Sequence, residues 1–176
     1  MVGPGSGKST FAASLFAYMK KSGYKVELVT EYAKDLVYEK QFDLLKNDQL
    51  FVLAHQNRRI QSILESNEHI DYIITDSPLL LSKIYACVNH YPKNYISFQE
   101  FCADLFMSYD NINFFLDRKN IIFDPDGRVQ KTIEDAEKID TTIKAELYYW
   151  KIPFIVLETR EINENLINLI KDASIE

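Results

Sequence analysis

The sequence predicts an α/β fold, a parallel sheet wrapped by helices, and three observations carry that prediction. Short β-rich runs alternate with longer helical patterns, the order that strand-helix-strand units require. A glycine-rich turn at residues 3–7 runs straight into a helical pattern of apolar residues. Charged residues stand directly after three of the strand-like runs, where open α/β sheets place their ligand-binding groups.

Each element has its own justification. Thr10 to Ser22 carries Phe11, Leu15, Phe16 and Met19 on a helical period, and Gly23 stands where a helix C-terminus favours glycine. Lys25 to Thr30 (KVELVT) reads as a strand. A helix follows over Tyr32 to Glu39, and a second over Asp48 to Ser66 sets Leu50, Leu53, Ile60 and Leu64 on one face. Ile70 to Thr75 (IDYIIT) is a continuous, buried strand. From Pro78 the chain is helical to Val88, loops through Asn89 to Asn94, and is helical again over Phe98 to Ser108. Asn113 to Leu116 (NFFL) gives the next strand. Asp117 to Thr132 is polar, holds Pro125 and Gly127 and shows neither period, so it reads as a long loop of the kind that serves as a lid. Ile133 to Trp150 is a helix, Phe154 to Leu157 a last strand and Asn163 to Ile170 a closing helix. No internal repeat or low-complexity tract interrupts this order.

With 176 residues and 47% of them apolar, the chain is expected to form one globular domain over residues 1–176 with a core that needs no crosslink. Lys and Arg number 20 against 26 Asp and Glu, a formal charge of -6, and no basic stripe gathers to hold a polyanion, so duplex nucleic acid is not the expected partner. Cys87 and Cys102 lack paired spacing and read as reduced thiols of a cytoplasmic protein; Cys87 with His90 has no second pair to complete a zinc site. No stretch reaches the apolar length of a membrane span.

The stretch Gly3-Pro4-Gly5-Ser6-Gly7-Lys8-Ser9-Thr10 carries the clearest chemistry. A glycine-rich turn opening a helix directs backbone N–H groups at phosphate oxygens, and the helix N-terminus adds partial positive charge. Lys8 then reaches the terminal phosphates of a nucleoside triphosphate, and the Ser9 hydroxyl holds Mg²⁺. The pattern departs at Val2, a β-branched residue where this phosphate loop ordinarily has glycine. Only Met1 and Val2 precede the loop, so the strand expected to launch it is missing or vestigial; the expectation is an upstream natural start or a truncated, weakly active form.

Glu31 follows KVELVT, Asp76 follows IIT, and Asp117 with Arg118 follows NFFL. Asp76 is placed to hold Mg²⁺ directly or through water, or else to cap a helix together with Ser77 and Pro78. Glu31 is either a functional carboxylate or a favourable charge in a first helical turn. Arg118 and Arg128, with Lys119, either close over a transferring phosphoryl group or lie on a solvated surface. Gln56, Asn57, Arg58 and Arg59 share the long helix, where Gln56 or Asn57 either binds a ligand or is a satisfied buried amide. The histidines, Trp150 and the tyrosines read as packing or surface residues.

GPGSGKST, VELVTEYAKDLVYE, DQLFVLAHQNRRI, YIITDSPLLLS, NINFFLDRK and GRVQ followed by AEKID, in that order, resemble the P-loop ATP-binding proteins common in bacteriophages. That group is similar to the kinase domain of nicotinamide-riboside kinases and, more distantly, to deoxynucleoside kinases. The likeness runs from Gly3 to about Leu157. It implies a three-layer P-loop fold in which Lys8, Ser9 and Thr10 bind ATP and magnesium and Glu31 is a catalytic base. It also implies that Asp76 is the acidic residue after the next strand, that Gln56 faces the acceptor, and that Arg118 and Arg128 belong to the lid. Arg59 joins Glu31 and Gln56 as an expected acceptor contact.

The function expected is transfer of the ATP γ-phosphoryl group to a nucleoside, nucleotide or related small hydroxyl acceptor, in the host cytoplasm if the chain is phage-encoded. A regulatory module that binds nucleotide without transfer, and a kinase acting on DNA, are the alternatives; pairing of two copies is left open.

Overall fold

The computed structural model describes residues 1, 3–66, 68–88, 95–118, 132–158 and 161–174. In chain order the elements are α1 (Lys8–Lys21), β1 (Val26–Val29), α2 (Tyr32–Tyr38), α3 (Phe42–Asn47), α4 (Gln49–Leu64) and β2 (Tyr72–Thr75). They continue as α5 (Leu80–Val88), α6 (Tyr95–Met107), β3 (Phe114–Leu116), α7 (Ile133–Tyr149), β4 (Ile155–Leu157) and α8 (Glu164–Ala173). The alternation is the α/β order predicted. Among the described residues one element is new: α3 buries none of its residues, so it has no apolar stripe to mark it in the sequence. Several helix bounds shift: α1 begins at Lys8, ahead of Thr10, α5 at Leu80, beyond Pro78, α6 at Tyr95, ahead of Phe98, and α8 runs past Ile170 to Ala173.

Among the described residues the strands pair as two short sheets, β1 beside β2 and β3 beside β4. β3 and β4 run parallel with Phe114, Phe115 and Leu116 opposite Ile155, Val156 and Leu157. The ladder extends one residue each way, because Ile155 donates to the Asn113 carbonyl at 2.8 Å and Asp117 donates to that of Leu157 at 2.9 Å. On its other side β3 reaches the chain's first residue: the Leu116 N–H donates to the Met1 carbonyl at 3.2 Å. β1 and β2 are locked at their start by a reciprocal pair of bonds. The Asp71 N–H donates to the Lys25 carbonyl at 2.7 Å, and the Lys25 N–H donates to the Asp71 carboxylate at 2.8 Å. The bond from Lys25 holds the Asp71 carboxyl below its ordinary pKa. Its contribution is therefore present above the ordinary carboxylate range and fades as the pH falls through the lowered value.

By contacts the chain sorts into two compact units, one of Met1–Leu28, His69–Ile74 and Asp110–Glu176, the other of Val29–Glu68 and Thr75–Tyr109. The boundary falls at the last residue of β1 and of β2. Buried apolar side chains of the first unit come from α1 (Phe11, Leu15, Met19), β3 (Phe115, Leu116), α7 (Ile139, Ile143, Leu147) and α8 (Leu166, Ile167, Ile170). In the second unit α4 packs on α2 and α5, and α5 packs on α6. Leu36, Val52, Leu53, Ile60, Leu80, Ile84, Cys102 and Phe106 supply its buried side chains.

Three helices end in the same left-handed stop. After α1, Gly23 at φ 89° lets Tyr24 donate back to the Met19 carbonyl, and after α2 Lys40 at φ 59° lets Gln41 donate to that of Leu36. After α7, Lys151 at φ 54° lets Ile152 donate to the Leu147 carbonyl at 2.9 Å. N-termini are capped by side chains where the sequence offers them: Asp48 on α4, Thr132 on α7 and Asn163 on α8.

Two predictions follow from this packing. A lysine side chain in the left-handed region costs about 1 kcal/mol, so Lys151→Gly should raise the thermal midpoint by roughly 2–4 °C; calorimetry showing no rise would count against this stop. Burial pushes the Cys102 thiol up to about 12, while Cys87 is exposed. A thiol reagent at neutral pH should therefore modify Cys87 alone in the native protein and both cysteines after unfolding, as read by mass spectrometry.

Candidate functional site

The glycine loop lies in the first unit, and each glycine there is required for its own physical reason. Gly5 and Gly7 have φ of 73° and 79°, a conformation costly for any residue with a Cβ. Gly3 is required by proximity: a Cβ on it would stand 2.7 Å from an Asp140 carboxylate oxygen and 2.9 Å from the Ala136 carbonyl, both on α7. Gly7 is the N-cap of α1 and supplies no side-chain cap, and no acidic residue occupies the first turn. A helix start built this way favours an anion at its N–H groups.

Around Gly3 the loop closes on itself. The buried Ser6 hydroxyl donates to the Gly3 carbonyl at 2.9 Å, and the Lys8 ammonium donates to the same oxygen at 3.0 Å. The Gly3 N–H donates to the Asp140 carboxylate. Ser9 and Thr10, at the start of α1, are exposed. The residues thus fit a nucleotide's phosphates with their magnesium: backbone donors, one ammonium and an accessible hydroxyl meet at one helix start.

Arg118, just beyond β3, belongs to the same cluster. Its Nε donates to Asp140 Oδ2 at 2.7 Å, its Nη2 to Asp140 Oδ1 at 3.2 Å, and its Nη1 to the Pro4 carbonyl at 2.8 Å. The two side chains are only 9% and 13% exposed. Asp140 has no mention among the residues expected from the sequence. A signal existed: it lies on the stripe of α7 that carries the buried Ala136, Ile139, Ile143 and Leu147, where a carboxylate is out of place without a partner. Arg128 lies outside the described residues, as does most of the 117–132 loop.

The second unit holds the other expected residues. Glu31 is the extended N-cap of α2, half-buried, and makes no side-chain cap bond. Gln56 and Arg59 on α4 grip the corner around it. Gln56 Oε1 accepts the Tyr32 N–H at 2.8 Å and its Nε2 donates to the Thr30 carbonyl at 3.3 Å. Arg59 donates to the same carbonyl at 3.1 Å, pairs with Asp35, and stands 5.1 Å from the centre of the Tyr32 ring. Of the two sequence readings for Gln56, the satisfied buried amide describes these bonds. The Tyr32 ring stacks on His55 at 4.5 Å, and desolvation pushes its phenol above the ordinary pKa. Asp76 follows β2; its side chain is 3% exposed and its Oδ2 accepts from the Lys34 ammonium at 3.2 Å. Because α5 starts at Leu80, neither Asp76 nor Ser77 is its N-cap.

These features define a P-loop nucleotide-binding domain of the mixed α/β class. The chain belongs to the AAA domain family, whose match covers residues 3–164. No curated protein matches it. Among the described residues no helix is long and apolar enough to cross a membrane.

The contact distances at Gly3 set a prediction. Gly3→Ala forces a Cβ against the Asp140 carboxylate and the Ala136 carbonyl and should cost roughly 1–3 kcal/mol of stability, with loss of triphosphate binding. Thermal unfolding and nucleotide titration check it; wild-type values in both would show that the loop opening tolerates a side chain.

Proposed function

We propose that this domain is a phosphotransferase that passes the γ-phosphoryl group of ATP to a hydroxyl of a nucleoside, nucleotide or related ribosyl acceptor. The observation that carries the proposal is the glycine loop, with two left-handed glycines and an anion-favouring helix start beside the Lys8 ammonium. Family membership supports the nucleotide half of the reading. The acceptor half rests on Glu31, a carboxylate held at the N-cap of α2 two residues beyond β1, and on the resemblance of the chain's motif order to a phage P-loop group that is similar to nicotinamide-riboside kinases and, more distantly, to deoxynucleoside kinases.

In this reading the loop amides and Lys8 bind the triphosphate, and Ser9 and Asp76 are the residues that would hold magnesium, which offsets charge on the phosphate oxygens. Glu31 accepts the proton of the acceptor hydroxyl. The hydroxyl oxygen forms the new bond to the γ-phosphorus as the bond from that phosphorus to the β-γ bridging oxygen breaks, and ADP leaves with the electron pair. Gln56 and Arg59 hold the Thr30 to Tyr32 backbone and so aim Glu31. Arg128 is proposed as the cation that meets the transferring group.

Lys8→Ala should weaken ATP binding at least about tenfold, since a charge-assisted bond to phosphate is lost. Glu31→Gln should keep ATP binding and slow transfer by roughly 10²–10⁴. Calorimetry with ATP and mass spectrometry of a nucleoside panel incubated with Mg-ATP separate the outcomes. Binding without any phosphorylated product would favour the regulatory module; unchanged binding in Lys8→Ala would remove the site itself.

A further inference from the structure

We propose that Arg118 and Asp140 form a paired brace that sets the opening of the glycine loop, so that Arg118 serves nucleotide binding by positioning the loop backbone. The proposal rests on the nucleotide-binding reading of the loop and assigns it a control element built from α7 and the residue just beyond β3.

The bonds form a chain with a direction. Asp140 Oδ1 receives both the Gly3 N–H and Arg118 Nη2, so one carboxylate oxygen joins α7, the loop and the end of β3. Its other oxygen takes Arg118 Nε at 2.7 Å, which completes a two-pronged pair and fixes the carboxylate plane. The Gly3 peptide is then held at its nitrogen by Asp140, and its carbonyl carries Ser6 at 2.9 Å and Lys8 at 3.0 Å. Movement of Asp140 therefore shifts the oxygen on which the Lys8 ammonium rests. Arg118 adds a second grip one residue on, through the Pro4 carbonyl at 2.8 Å.

Every guanidinium nitrogen is engaged in this way, and the side chain is 9% exposed. An arginine serving as a direct phosphate contact presents its fork to the ligand; this one presents its fork to Asp140. The pair also resolves a conflict of charge. A lone carboxylate bonded to the loop would repel the phosphates, and the bidentate arginine cancels it. Lysine could not do both jobs, because a point ammonium cannot span two carboxylate oxygens and a backbone carbonyl in one plane.

The test uses the full chain and a non-hydrolysable ATP analogue with Mg²⁺. Affinity is measured by calorimetry for Arg118→Ala, Asp140→Ala and the double variant, and hydrogen exchange of residues 3–7 is followed without nucleotide. Each single variant should lose roughly tenfold in affinity, and the double variant should lose little more than either, because both break one device. Exchange at the Gly3 amide should quicken in Arg118→Ala although Arg118 does not bond that amide. Arg118→Lys and Asp140→Asn keep the size of each side chain and cover the event that the alanine variants fail to fold; both should still lose affinity.

Three results would overturn the brace: loss in Arg118→Ala with none in Asp140→Ala, full affinity in Arg118→Lys, or lowered thermal midpoints with unchanged affinity. The first two would make Arg118 a direct phosphate contact. If the wild-type chain binds no triphosphate analogue, the nucleotide reading fails by itself, and the exchange data still judge the coupling of Arg118 to Gly3.

Discussion

A helix begins with backbone N–H groups that its own turns cannot satisfy, and the start of α1 is built to leave that end for an anion. Gly7 caps it with no side chain, and the first turn carries no acid that could fill the role from within. Two left-handed glycines bend the preceding chain, and the Asp140 carboxylate, which accepts the Gly3 N–H, is matched by Arg118. The buried Phe11, Leu15 and Met19 pin the helix along its length, and the Gly23 stop secures its far end. Fixed at that end, α1 holds its opening turn still enough for backbone dipoles to count.

The same economy governs the corner between β1 and α2. A strand must turn into a helix at Glu31, and the turn exposes backbone groups of Thr30 and Tyr32. Side chains from α4 meet them: Gln56 uses both ends of its amide, and Arg59 shares the Thr30 carbonyl. Because α4 packs on α2, the residues that satisfy the corner are carried by an element already fixed in place. Glu31 stands at the N-cap of α2 in an extended conformation and makes no side-chain capping bond there.

Much of the fold was legible because the strands and helices obey their periods. KVELVT, IDYIIT, NFFL and FIVL appear as β1 to β4 within two residues at each end, and α2, α4, α7 and α8 begin at or next to the residues read as their starts. α3 was invisible since it buries nothing, and the start of α5 was misjudged because Pro78 looked like a first helical residue when the helix waits for Leu80. Lys40 and Lys151 gave no warning of their left-handed stops, for glycine is the residue that advertises them. Within the site, the motif from Gly3 to Thr10 was readable from local spacing alone. Asp140 and Lys34 were not, because their importance arises from partners distant in the sequence: Gly3 and Arg118 for one, Asp76 for the other.

The departure at Val2 acquires a different weight once Gly3 is placed. A phosphate loop needs glycine where the backbone is left-handed or where another element crowds it, and these are separate demands. Gly5 and Gly7 meet the first; Gly3 meets the second, pressed against α7 by the Asp140 contact. The spacing seen in the sequence is thus a product of where α7 crosses, and α7 crosses where it does because its inner stripe of Ala136, Ile139, Ile143 and Leu147 is buried. A carboxylate on that stripe is tolerable only with a partner that cancels its charge and satisfies its oxygens. Arg118 provides both, so the packing of α7, the identity of residue 3 and the presence of an arginine after β3 are three expressions of one constraint.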